Sequence, residues 1–148
     1  MTGSDHREKG RILALDVGAR RIGLAVSDEL GITAQGIETL HRKNRRTDFE
    51  FLQKVIERYQ IKEIVVGFPL KMSGEEGAQA EKISYFAADL GKRFHGQLHL
   101  WDERLSTAEA HRILDEAHVH HTRRKEVVDQ MAAVLILQSF LQNRGSQE

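Results

Sequence analysis

The hexapeptide Glu63–Phe68, EIVVGF, constrains the fold more than any other stretch, because after its first residue it carries no polar side chain. Such a strand must be covered on both faces, as an interior strand of a parallel sheet is. Parallel neighbours in turn require crossover connections, usually helical. The flanking segments agree. From Thr47 onward, Phe49, Leu52, Val55, Ile56 and Tyr59 recur at helical spacing, and Thr47 with Glu50 has the spacing of a capping box. Pro69 ends the strand, and a helix over about Glu75 to Phe94 presents Ala78, Ile83, Phe86, Ala87 and Leu90 on one face. Gln97–Trp101 reads as the next strand. Ser106 and Glu109 form a second capping box, which accounts for that serine as helix-start chemistry and predicts a helix to about Glu116. A last helix is expected over Lys125 to Leu141.

Ahead of this unit, RILALDVGARRIGLAVSD (Arg11–Asp28) reads as a β-hairpin with a carboxylate inside it. Asp16 falls at the carboxyl end of the first strand, between Leu15 and Val17. Aspartate is disfavoured in strands and costly to bury when ionised, so it needs a partner, either backbone N–H groups of its own turn or a metal ion. Gly18 and Gly23 remove side chains nearby, which lets a phosphate or a metal-bound water approach. Thr33 to Leu40 alternates in character and reads as a third, edge-like strand. Three sequential strands make a meander. With right-handed crossovers the expected fold is α/β, a five-stranded mixed sheet of order 3-2-1-4-5 with helices on both faces. Residues 11–142 are then one domain, with residues 1–10 and 143–148 as tails.

In this arrangement Asp16, Asp102 and Glu103 end strands at one edge of the sheet, where open α/β sheets place their ligands. Asp129 heads a helical stripe of Ala132, Ala133, Ile136 and Phe140, which aims it inward; its alternative use is to favour the helix dipole. Convergent carboxylates need a cation, and oxygen-only ligands point to Mg²⁺ or Mn²⁺. Such ions activate water and neutralise phosphate charge in phosphodiester hydrolysis. Alternation along a strand leaves open which of Asp102 and Glu103 faces the metal.

Lys plus Arg number 22 and Asp plus Glu number 22, so no global basic field exists, and a nucleic-acid partner must be met by local patches. The loop HRKNRR supplies Arg42, Lys43, Arg45 and Arg46; the hairpin turn supplies Arg20 and Arg21; Lys71 and Arg104 follow candidate site strands. A second basic loop, HVHHTRRK, supplies Arg123, Arg124 and Lys125, and its histidines alone do not make a zinc site. Charge runs often only face water. LKMSGEEG is a glycine-containing loop before a helix and a weaker phosphate candidate, since Glu75 and Glu76 compete with an anion. The absence of cysteine excludes a disulfide framework. With no apolar run of membrane-spanning length, the expectation is a soluble, cytoplasmic protein with no membrane partner.

Four motifs in order, LALDVGARRIGLAVSD, VVGFPLKMSGEEG, WDERLSTAEA and VVDQMAAVLIL, resemble the YqgF (RuvX) family over nearly the whole of Arg11 to Leu141. The resemblance implies a ribonuclease H-like fold related to RuvC-type Holliday junction resolvases. It also implies a nuclease that processes the 5′ end of pre-16S rRNA, with a junction resolvase as the alternative. Asp16, Glu103 and Asp129 are then the catalytic, metal-binding acids. One departure stands out. In the RuvC pattern the second acid ends the strand beside the first, whereas here that strand ends VVGFP, and Glu103 must substitute.

The expected partners are therefore structured RNA in preference to branched DNA, and pre-ribosomal particles, for a monomer or weak dimer. Two other classes compete. Actin-like and sugar-kinase proteins also use D-x-G in a phosphate hairpin, but close two such domains around nucleotide, and this chain provides one. A non-catalytic nucleic-acid-binding module would not need acids at all three family positions.

Overall fold

Alternate residues of the first strand, β1 (Arg11–Val17), enter two different cores. The computed structural model describes residues 10–69, 76–102 and 121–147, with the side chains of 121–129 and 145–147 excepted. β1 pairs antiparallel with β2 (Arg21–Ser27) and parallel with the fifth strand, β5 (Ile61–Phe68). β5 pairs parallel with β6 (Gln97–Asp102). Two short strands, β3 (Ala34–Gly36) and β4 (Leu40–His41), both pair with β2. The order is β3-β2-β1-β5-β6 with β4 beside β2, so the described residues form six strands where five were expected, in the expected topology.

The extra strand has a physical origin. Gly36 stands opposite Ala25 and Leu40 opposite Ile22, so the outer segment has one residue more than β2 across the same interval. An extra residue reverses the pleat, as in a bulge. Ala34 consequently packs on one core while Leu40, 5% exposed, enters the other. The periodicity of Thr33–Leu40 looks continuous in the sequence, and the bulge within it is set by pairing with β2.

Helices α1 (Arg45–Arg58) and α2 (Ala78–Arg93) cover one face. Phe49, Leu52, Val55, Ile83, Phe86 and Leu90 meet Leu13, Leu15, Ile22, Leu24, Ile64 and Val66 there. Helix α3 (His121–Gln147) covers the other, with Ala133, Ile136, Leu137 and Phe140 against Ile12, Ala14, Ala25 and Val65. β5 is thus buried on both faces, as EIVVGF requires.

Several boundaries differ from the sequence reading. α1 opens before Thr47: the Asn44 side chain accepts a hydrogen bond from the Thr47 N–H at 2.9 Å, so Arg45 and Arg46 are helical and HRKNRR is not wholly a loop. α2 begins at Ala78, after Gly77 as N-cap, and it buries Ala80 and leaves Ala78 exposed. α3 begins at His121, so Arg123, Arg124 and Lys125 stand on a helix and not in a loop. It also runs through residues expected as a tail, and Gly10 is buried, too close to the Gln60 carbonyl to admit a side chain. The helix expected after Ser106 and most of LKMSGEEG lie outside the described residues. No helix among the described residues is long and apolar enough to cross a membrane.

Candidate functional site

The β1 pleat sends Ile12, Ala14 and Asp16 to the α3 face. Ile12 and Ala14 are sealed beneath the helix, and Asp16 is only partly buried. Its strand neighbours explain the opening. Asp16 pairs with Gly23 on β2. On the other side, one step beyond the Leu15–Val66 pair, stands Gly67, itself opposite Trp101. The carboxylate is therefore flanked by two residues without side chains. Trp101 closes the row, its indole N–H donating to Ser139 Oγ at 3.0 Å and its ring meeting Phe140 edge-on at 5.5 Å. Gly67 was not singled out in the sequence, although a glycine inside an otherwise apolar buried strand is a signal of close approach.

Gly18 serves a different end from the one expected. Its N–H donates to the Arg21 carbonyl at 2.8 Å, and a Cβ there would lie 2.9 Å from that oxygen, so it closes the hairpin turn. Arg42 is also engaged by the fold. Its guanidinium donates to the Gly18 carbonyl at 2.8 Å and to Asp48 at 3.3 Å, and lies over the Phe86 ring. Asp48, 2% exposed, accepts the Lys43 N–H at 3.0 Å as well. This acid, absent from the sequence reading, ties the β1–β2 turn to α1. Arg42 acts here as a brace for the turn beside Asp16.

The direction of α3 follows from its ties. Gln130 Nε2 donates to the Ile37 carbonyl, and Ile37 bonds to Leu24, the partner of Leu15. At the other end Arg144 holds Glu63, level with Ile12, through two hydrogen bonds of 2.7 and 2.8 Å. The helix thus runs from the Asp16 end of the sheet to the opposite end. Gly36 permits the approach, with Gln130 and Val134 atoms 3.4–3.5 Å from where its Cβ would be. Asp129 occupies the helical position before Gln130, one turn ahead of the buried Ala133.

On β6, His99 and Trp101 meet Phe140 beneath α3, whereas Leu98 packs on the α1–α2 core. Asp102 shares the parity of Leu98 and stands opposite Phe68, which packs on that same core. By that parity it stands on the face away from Asp16, and it is exposed. Glu103 lies outside the described residues, as do Lys71 and Arg104, and the side chains of Asp129, Arg123, Arg124 and Lys125 are not described. Among the described residues no group of three or more His, Cys, Asp or Glu could hold a metal ion. Of the remaining cations, Arg20 and Lys43 are exposed and Arg21 is partly buried. Arg45 pairs with Asp89 across the α1–α2 seam at 2.9 Å, and Arg46 with Glu50 at 3.1 Å.

Comparison with known proteins places these features in context. A family model described as RuvX, Holliday junction resolvase, matches residues 10–143. A protein of Koribacter versatilis named "Putative pre-16S rRNA nuclease" is 57% identical over 136 residues, spanning 92% of this chain and 89% of its own. One of the same name from Halothermothrix orenii is 48% identical over 131 residues, 88% and 94% of the two chains. Among solved structures, the fowlpox virus Holliday junction resolvase aligns with a TM-score of 0.55 at 12% identity, over 90% of this chain and 99% of its own. Thermus thermophilus RuvC, in complex with a Holliday junction substrate, gives 0.51 at 13% identity, over 91% and 96%.

Proposed function

The chain belongs to the RuvX family, and on that premise we propose that it is a metal-dependent nuclease that cleaves phosphodiester bonds in structured RNA, maturing the 5′ end of pre-16S rRNA. The observation that carries the reading is Asp16, a half-buried carboxylate held between Gly23 and Gly67 at the end of α3 from which Asp129 follows. The donor chemistry fits a hard divalent cation: an oxygen ligand, flanking positions that leave room for its waters, and no thiolate anywhere in the chain. Asp16 would hold Mg²⁺ or Mn²⁺ with Glu103 and Asp129. The exposure of Asp102 on the opposite face supports giving the second place to Glu103. When bound, the ion supplies an activated water and neutralises charge on the phosphate.

The protein's own part is positional. The brace of Arg42 on Gly18 and Asp48 fixes the turn after Asp16, the paired strands β2 and β5 hold the carboxylate from both sides, and α3 closes the face beneath it. The same reading puts the protein in the cytoplasm, with precursor ribosomal particles as its target. The family description and the resolvase fold favour a second reading, a junction-cleaving DNA nuclease, which would act as a two-fold dimer. A single assay separates the two. Purified protein is given a 5′-extended 16S precursor and a four-way DNA junction, with Mg²⁺, Mn²⁺ or EDTA, and its mass is measured in the same buffer. The expected result is Mg²⁺- or Mn²⁺-dependent cutting of the RNA alone. Cutting confined to the junction by a dimer would replace the RNA reading, and undiminished cutting in EDTA would remove the metal.

A further inference from the structure

On the face of the sheet away from α3, the seam between α1 and α2 is an open groove. Near the hairpin turn it is bordered by Ala19, Lys43 and Lys82, with a volume of about 490 Å³. Arg45 and Phe49 border this part and also the next, which reaches Arg93. Arg93 in turn borders a third part, about 590 Å³, ending at Lys62 and His95 at the opposite edge of the sheet. The shared residues make one continuous track along α1.

Its acids are matched within the protein. Asp89 pairs with Arg45, Glu50 with Arg46, and Asp48 is buried against Arg42. The third part has no acid among its lining residues. Lys43, Lys82 and Arg93 therefore leave the track positive in a chain of zero net charge, and Lys62 stands at its far end. Its wall is aromatic: Phe49 stacks on Phe86 at 5.4 Å, and the Arg93 guanidinium lies 4.7 Å from the Phe49 ring centre. α1 has 14 residues, about 21 Å at the helical rise. One strand of B-form DNA places a phosphate about every 3.4 Å along its axis, and A-form RNA sets them somewhat closer, so roughly six or more phosphates match that length.

We propose that this groove is a second phosphate-backbone track, resting on the nuclease reading above, which takes the flanking arm of the RNA substrate as it passes from the Asp16 edge over the exposed Arg20 turn. A regular polyanion is the occupant such a line of cations fits. The groove touches backbone only, so it adds affinity and orientation without sequence preference. Long, structured substrates are then held at two places and short ones at one.

The test uses the full chain with Lys62→Glu and Lys82→Glu combined, and Lys82→Gln alone as a milder change at an exposed position. Binding of a long 5′-extended 16S precursor and of a short oligonucleotide spanning the cut is titrated against salt. With the precursor, the log–log salt slope should flatten by roughly 0.7–0.9 for each phosphate that the variant no longer neutralises. KM for the precursor should rise at unchanged kcat, and turnover of the short oligonucleotide should hold. Because the chain contains no cysteine, Lys82→Cys supplies a unique thiol, which should cross-link to a thiol-bearing nucleotide in the arm and not at the cut. Wild-type affinity and slope in both variants would overturn the track, as would equally strong competition by polyglutamate, which would mark an acidic-protein surface. Absence of cleavage by the wild type on every RNA would instead overturn the functional reading itself.

Discussion

Asp16→Asn keeps the shape of the side chain and removes one charge from a carboxylate with glycine on both flanks. Its effect should therefore divide cleanly between chemistry and fold. Cleavage is expected to fall about a hundredfold or more, the scale of losing a group that stabilises transition-state charge. Without metal, the melting temperature should stay equal or rise, because the acids proposed to share its metal would lose a repulsive neighbour. Mg²⁺ should raise the melting temperature of the wild type more than that of the variant. Asp129→Asn should show the same opposite movement of stability and activity; a dipole-favouring Asp would lose under ~1 kcal/mol and leave cleavage intact. Calorimetry with and without Mg²⁺, beside the cleavage assay, checks both. At this scale Asp16 was legible in the sequence because an acid between Leu15 and Val17 breaks the strand pattern. Arg42 was not, because its partner Asp48 looks like an ordinary first-turn acid, and only the fold brings the Arg42 guanidinium between Asp48 and the Gly18 carbonyl.

Among the elements, α3 depends on its far end. Burial by itself pushes the Glu63 carboxyl up, but the hydrogen bonds and charge of Arg144, helped by His99, outweigh it and hold the group below its usual 4.5. A lowered folded value means the stabilisation is present above the unfolded pKa and is lost as pH falls through the folded one. Glu63→Gln should cost about 1–2 kcal/mol at pH 7, a charged hydrogen-bond pair discounted for the part-exposed Arg144. The gap from the wild type should narrow as the pH falls below 4.5 and through the lowered folded value, as a series of urea melts from pH 7 downward would show. A constant gap would mean that packing, not charge, anchors the helix.

Element type was readable wherever one period dominated: the apolar run of β5, and the helical spacing of α1, α2 and the middle of α3. Boundaries escaped where two local signals competed. Asn44 and Thr47 both offer a helix start, and the cap geometry decides for Asn44. The HVHHTRRK tract lacks apolar spacing, so nothing in it marks His121 as helical. The break between β3 and β4 depends on the count of residues in β2, which no local pattern contains.

At the scale of the whole molecule, the two faces of the sheet divide the work. The α3 face carries Asp16, and the α1–α2 face carries the basic seam, with the β1–β2 turn between them. Zero net charge hides this division, because the cations are concentrated by topology and not by composition. The sheet order was legible because crossover handedness leaves few alternatives. The convergence of Asp16, Glu103 and Asp129 stands as a requirement of the proposed chemistry, since the three come from segments far apart in the chain.

Ile12 and Ala14, among the first residues of the sheet to be synthesised, are covered by Ala133, Ile136 and Phe140, among the last. During translation the α1–α2 face can close while the other face stays bare, and docking of the final helix then closes only the segment 103–120 between β6 and α3. A chain truncated before α3 should accordingly aggregate on the exposed Ile12, Ala14, Ala25 and Val65 surface, and a soluble, folded fragment in a sedimentation assay would contradict this. Folding and completion of the face that carries Asp16 then become one event, and the chain cannot present that face whole until its last helix has emerged.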